Sequence, residues 1–173
     1  NTVANYAVAV CKMNVFLFNI HCMGGFEMMK AARVAVDKYC AEHKTKKPLL
    51  IGVTILTSVN EETMKNGLKI NSSVDDMVKH LALLAKKAGL DGVVCSPKEI
   101  KIVKDACGND FITVTPGIRP AWSEAGDQKR IMTPSDATKL GTDFIVIGRP
   151  IIQADKYGMT RKQAAKKIID EMN

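Results

Sequence analysis

Apolar residues along the chain fall into two alternating patterns. One is short, dense and β-branched, at 15–21, 49–56, 92–95, 111–115 and 144–147. These runs are apolar on both faces, which predicts strands buried in a parallel sheet. The other pattern recurs at helical spacing. It covers about 26–42, then the stripe Met77, Val78, Leu81, Leu84 and Ala85, and a last helix running to about residue 172. Val3, Ala7, Val10 and Cys11 continue the same period at the start, with Thr2 as a candidate cap.

Punctuation between the runs repeats. Ser96, Pro97 and Glu99 open one helix, which Gly108 stops. Thr133, Pro134 and Asp136 open another, stopped by Gly141; Ser73 and Asp76 open a third, stopped by Gly89. Thr160 with Gln163 opens the last. Each hydroxyl–carboxyl (or amide) pair satisfies free N–H groups at a helix start, and each glycine accepts the turn at its end. Five strands, each followed by a helix, predict an α/β fold with a parallel sheet. An open doubly wound sheet and a (β/α) barrel both fit. In either, chemistry belongs at the carboxyl ends of the strands.

Composition narrows the function. The 173 residues are 46% hydrophobic, with no linker-like stretch, so residues 1–173 read as belonging to one domain. Five scattered cysteines, without a C-x-x-C pair, argue for free thiols in a reducing cytoplasmic setting and against a zinc site. No apolar run approaches ~18 residues, so no membrane span is predicted. The net charge of +7 admits nucleic acid as a partner, but aromatics are only 5%, too few for base stacking. An anionic small substrate fits better.

The residues following the strands are His21 with Gly24 and Gly25, Thr57 and Ser58, Ser96, then Gly117 to Pro120, then Gly148 to Pro150. Two arginines, Arg119 and Arg149, thus follow consecutive strands beside glycine turns. Glycine lets backbone N–H groups approach an anion, and guanidinium forks match phosphate oxygens. In barrels the loops after the last two strands commonly hold phosphate. A lone arginine at a strand end commonly pairs with a surface carboxylate; two on consecutive strands beside glycine turns point to phosphate. His21 reads as structural, Ser96 as a helix cap, and the nine methionines as core filler. The loop "AWSEAGDQKR" is long enough to fold over a ligand, with Gln128 as a donor.

These motifs resemble one family. "GIRP", "GDQKRIMTP" and "DFIVIGRPI", preceded in order by "NIHCMGG", "MMKAAR", "GVTILTS" and "LDGVVCS", are similar to bacterial orotidine 5′-phosphate decarboxylases. The opening Asn1-Thr2 resembles the end of that family's signature, Asp-x-Lys-x-x-Asp-Ile-Pro-Asn-Thr. The resemblance implies a (β/α)8 TIM barrel, with about strands four to eight present here. It also implies a homodimer with sites at the subunit interface, and a lyase that uses no cofactor or metal. The implied reaction converts orotidine 5′-monophosphate to UMP in pyrimidine biosynthesis. By motif, Gly148 and Arg149 hold the 5′-phosphate, and Gln128 and Arg119 complete the grip. Thr57 bonds the pyrimidine, and Thr2, with Asn1, reaches the ribose of the partner's substrate. The Asp-x-Lys-x-x-Asp cluster that carries the chemistry is not in this sequence. It is expected directly before Asn1, on a longer polypeptide, so no catalytic residue is assigned and the segment alone is expected to be inactive. The alternative is a metal-dependent sugar-phosphate decarboxylase or aldolase of the same superfamily.

Overall fold

The computed structural model describes residues 1–123 and 132–172. Helix α1 (Thr2–Cys11) leads into β1 (Leu17–His21). Then follow α2 (Gly25–His43), β2 (Leu49–Val53), α3 (Val74–Ala88), β3 (Gly92–Val94), α4 (Ile100–Cys107), β4 (Ile112–Thr115), α5 (Pro134–Lys139) and β5 (Phe144–Ile145). A short α6 (Arg149–Ile152) and α7 (Arg161–Met172) close the described part.

All strand pairs are parallel, in the order β1-β2-β3-β4-β5. That order decides between the two architectures. A doubly wound sheet reverses its strand order at a switch point, placing helices on both faces. Here every crossover steps the same way, and right-handed crossovers that all do so put every helix on one side. The sheet also curls. Phe16, just before β1, and Phe144, in β5, belong to opposite edges, yet their rings meet edge to face at 5.9 Å. Five consecutive βα units of a TIM barrel have this form.

The core lies between the helices and the convex face of the sheet. Met29, Ala32, Val36 and Cys40 of α2 and Val78, Leu81, Ala82 and Ala85 of α3 line up at helical spacing. They pack against Phe18, Ile20, Leu50 and Val93. Removing such apolar area from water contributes roughly 25 cal/mol per Å². All five cysteines are free and buried. Burial pushes the Cys22 thiol up to about 12, which keeps it protonated and unreactive at neutral pH.

The predicted caps form. Ser73 and Thr133 accept the N–H groups of Asp76 and Asp136 at 3.0 and 3.2 Å. The Ser96 N–H donates to Glu99 Oε2 at 2.8 Å, and Glu99 is fully buried. The Thr160 and Gln163 pair closes reciprocally at 2.8 and 3.2 Å. Gly89 and Gly141, at φ +88° and +84°, take the left-handed turns after their helices.

Several details differ from expectation; β1 and β2 cover Leu17–His21 and Leu49–Val53 rather than 15–21 and 49–56. Thr2 is the first helical residue rather than the cap; Asn1 holds that place without a side-chain bond, because a cap must precede helical backbone. The last strand covers only Phe144–Ile145, not 144–147. Nor is it fully buried: Phe144 is 37% and Val146 50% exposed. β5 is an edge with one neighbour, so its concave side and free edge face water.

One device occurs twice where strands begin. Asp91, just before β3, accepts the Leu50 N–H of β2 at 2.7 Å and Arg33 Nη1 of α2 at 3.0 Å. Asp143, just before β5, accepts the Thr113 N–H of β4 and Lys104 Nζ of α4, both at 2.7 Å. Each aspartate ties its strand to the start of the preceding strand and to the helix leading into it. Burial alone raises the Asp143 carboxyl, but the bonds from Lys104 and Thr113 outweigh it and hold it below the usual carboxylate value. A lowered folded value contributes stability above the unfolded value, lost as pH falls through the acid range. Asp143→Asn should therefore cost about 1 kcal/mol at neutral pH, and the gap to the parent should narrow at acid pH, below the usual carboxylate range. Urea melts at both pH values check this; a gap that persists in acid contradicts it.

Candidate active site at the strand carboxyl ends

Parallel strands deliver their carboxyl ends to one rim. β1 ends at His21. After β2, Thr54 is buried, and its hydroxyl donates to the Val94 carbonyl at 2.8 Å. The chain then turns through residues 56–59, where the Val59 N–H donates to the Leu56 carbonyl at 2.9 Å, leaving Thr57 half-buried in the turn. After β3, Ser96 is fully buried at its helix start. The rim therefore carries Thr57 where the sequence places it, and Ser96 is spent on capping.

β4 and β5 are neighbours, so Arg119 and Arg149 follow adjacent strand ends on the same rim. Their settings differ. Arg119 is 7% exposed, and its Nη1 donates to the Ile118 carbonyl at 2.8 Å. Its backbone N–H donates to the Met132 carbonyl at 2.9 Å, which joins the two stems of the loop around 121–131. Arg149 is exposed, at the start of α6. Gly148 before it has φ −106°, so no left-handed backbone demands glycine there. A Cβ at that position would meet no protein atom within 4 Å. Gly148 thus leaves its own backbone uncovered by more distant parts of the chain. An exposed arginine after an uncovered glycine at a strand end suits an oxyanion.

Asn1 and Thr2 are exposed at the start of α1. A crossover helix runs antiparallel to its strands, so α1 begins at the rim end, in the outer layer. Gln128 lies outside the described residues, as do Glu124, Asp127 and most of the loop expected to fold over a ligand.

A contact that the sequence reading missed sits at the near stem of that loop. Trp122 meets Tyr157 edge to face at 5.2 Å, and Lys167 Nζ lies 5.5 Å from the Trp122 ring centre. Trp122 thereby ties the stem to α7. A single tryptophan beside a glycine-containing loop was the available signal; which partners it met was not legible.

At the opposite end, where strands begin, a concavity is lined by Lys101, Lys104, Asp105, Lys139 and Asp143. Lys101 pairs with Asp105 and Lys104 with Asp143, so most of its charge is already neutralised. Among the described residues no cluster of metal-ligating side chains occurs, and no helix is long and apolar enough to cross a membrane.

Comparison with known proteins identifies the family. Residues 1–168 match the family described as "Orotidine 5'-phosphate decarboxylase / HUMPS family". Orotidine 5′-phosphate decarboxylase of Syntrophotalea carbinolica is 49% identical over 173 residues, covering 99% of this chain and 68% of that protein. The enzyme of that name from Geotalea daltonii is also 49% identical, covering 99% of this chain and 69% of its own length. The crystal structure of orotidine 5′-phosphate decarboxylase from Lactobacillus acidophilus superposes with a TM-score of 0.82 at 36% identity, over all of this chain and 70% of that one. The chain therefore belongs to the orotidine 5′-phosphate decarboxylase / HUMPS family.

Proposed function

We propose that this chain is the phosphate- and pyrimidine-binding part of a decarboxylase that converts orotidine 5′-monophosphate to UMP, the C-terminal part of one (β/α)8 domain. The observation that carries this reading is that Arg119 and Arg149 follow the carboxyl ends of two adjacent parallel strands, β4 and β5. Arg149 holds the 5′-phosphate, with Gly148 offering its backbone. Arg119 and Gln128 complete the grip, and Thr57 bonds the pyrimidine.

Loss of CO2 leaves a carbanion on the pyrimidine with no cofactor to delocalise it. Stabilising it requires charges fixed in place before reaction. In this reading an Asp-x-Lys-x-x-Asp motif supplies them: the lysine protonates the carbanion and the carboxylates repel the substrate carboxylate. Phosphate binding, remote from the reacting carbon, offsets the strain. The homodimer belongs to the same proposal, with Asn1 and Thr2 reaching the ribose of the partner's substrate, as does a cytoplasmic location.

A metal-dependent sugar-phosphate lyase would need acidic ligands at the strand ends. The carboxylate that follows β3, Glu99, is engaged as a helix cap by the Ser96 N–H at 2.8 Å. Two measurements test the reading. UMP should raise the melting temperature of this chain, with inorganic phosphate competing and hexulose phosphates weaker. The polypeptide carrying the Asp-x-Lys-x-x-Asp motif before Asn1 should release CO2 from orotidine 5′-monophosphate, and residues 1–173 alone should not. A shift for hexulose phosphate but none for UMP would reverse the choice.

A further inference from the structure

The two segments that carry the arginines leave the sheet separately. β4 and β5 stay paired as far as the Val146 N–H, which donates to the Thr115 carbonyl at 2.9 Å. Beyond it, among the described residues, no backbone hydrogen bond joins residues 116–123 to residues 147–158. Each segment has its own internal order. The first turns at Gly117, φ +80°, and bridges Ile118 to Met132. The second forms α6 and then a single tight turn, Ala154–Tyr157, which Gly158 ends at φ +66°. An anion gripped where both segments leave the rim needs them at a fixed spacing.

Trp122 crosses the gap. Its ring stands edge to face on Tyr157 at 5.2 Å, with the planes 73° apart. Lys167 of α7 lies over the same ring. Tyr157 ends the turn that follows Arg149 and α6. The Trp122 indole N–H is buried and makes no hydrogen bond among the described residues. A buried donor without a partner costs stability, so the contribution of this side chain is its flat ring and not its polar atom. An edge-to-face pair fixes direction as well as contact.

We propose that Trp122 is a positioning residue for anion binding: packed on Tyr157, it fixes the segment after β4 against the segment after β5 and holds Arg149 where a phosphate can be gripped. This rests on the phosphate assignment proposed above. Trp122 touches no ligand in this scheme; it acts through Tyr157 and α6.

The test uses this chain, whose one tryptophan is Trp122. By linkage, whatever the ring contact does for anion binding, anion binding does for the contact. UMP should therefore protect the Trp122 emission from acrylamide quenching, and uridine, which lacks the phosphate, should not. An edge-to-face pair is coupled by an amount equal to roughly 2- to 10-fold in an equilibrium constant. Trp122→Ala should weaken UMP binding by about that factor in an equilibrium titration. Trp122→Phe keeps a ring, drops the unpaired N–H and should recover most of the loss. In an Arg149→Ala background, Trp122→Ala should have no further effect, because both act through the same grip on the phosphate. A tryptophan with a merely structural role would weaken binding equally in both backgrounds. Full UMP affinity in Trp122→Ala overturns the proposal, as do equal losses with and without Arg149. Quenching that is unchanged when UMP binds the parent also overturns it, whether or not the alanine variant folds. A parent that binds neither UMP nor inorganic phosphate refutes the phosphate assignment instead.

Discussion

Replacing Arg149 by alanine should reduce kcat/KM for orotidine 5′-monophosphate by about 10²–10⁴-fold in the complete polypeptide, with the fold intact. The magnitude follows from the loss of a charged, forked donor pair, at about 1.5–3 kcal/mol for each hydrogen bond to a charged group. Remote phosphate binding is also spent on the chemical step, so kcat should fall as well as affinity. The fold should survive because Arg149 is exposed and begins a helix of only four residues. Arg149→Lys should recover only part of the loss, since one ammonium cannot reproduce the fork. Adding phosphite, as a detached anion with a truncated substrate, should activate the parent more than the variant. Steady-state kinetics with parallel melting curves decide it; an Arg149→Ala variant within threefold of the parent contradicts the phosphate assignment.

The largest effect on stability is expected at Gly92. It opens β3, the central strand, between Ile51 of β2 and Ile112 of β4. A Cβ there would run into the Ile112 carbonyl and lie 2.6 Å from the Ile112 Cβ. The obstacle is backbone in a paired strand and cannot rotate away. Gly92→Ala should therefore separate β3 from β4 locally and cost more than about 3 kcal/mol, at the upper end for overpacking. For a chain of this size that corresponds to a fall in melting temperature of about 10 °C. By contrast Gly141→Ala meets no atom within 4 Å, but its φ of +84° still penalises a side chain, so it should cost about 1 kcal/mol. Circular dichroism melts of the two variants give the ranking. A Gly92→Ala variant as stable as Gly141→Ala would show that the two strands move apart more freely than the register implies.

The local structure was legible from the sequence because its causes are local. Ser73, Ser96, Thr133 and Thr160 cap the turns their spacing announces, because a cap and its partner lie within three residues. The apolar runs found the strands, and motif order found the family. The edges were not legible. Val146 reads as core by pattern and is half exposed, because burial depends on a neighbouring strand and not on the residue itself.

The site divides in the same way. The sequence alone placed Arg119 and Arg149 after consecutive strands, since parallel strands joined by crossovers must bring their carboxyl ends to one rim. It did not distinguish between them. Only the tertiary structure buried Arg119 and turned its guanidinium onto a backbone carbonyl, while Arg149 is exposed at the start of α6. Strand order, too, was a tertiary decision: the same alternation of elements serves an open sheet or a barrel, and only the direction of each crossover separates them. The pairing of Asp91 and Asp143 with a strand and a helix far away in sequence likewise needed the fold, because an aspartate's partners are set by what the curled sheet brings within 3 Å.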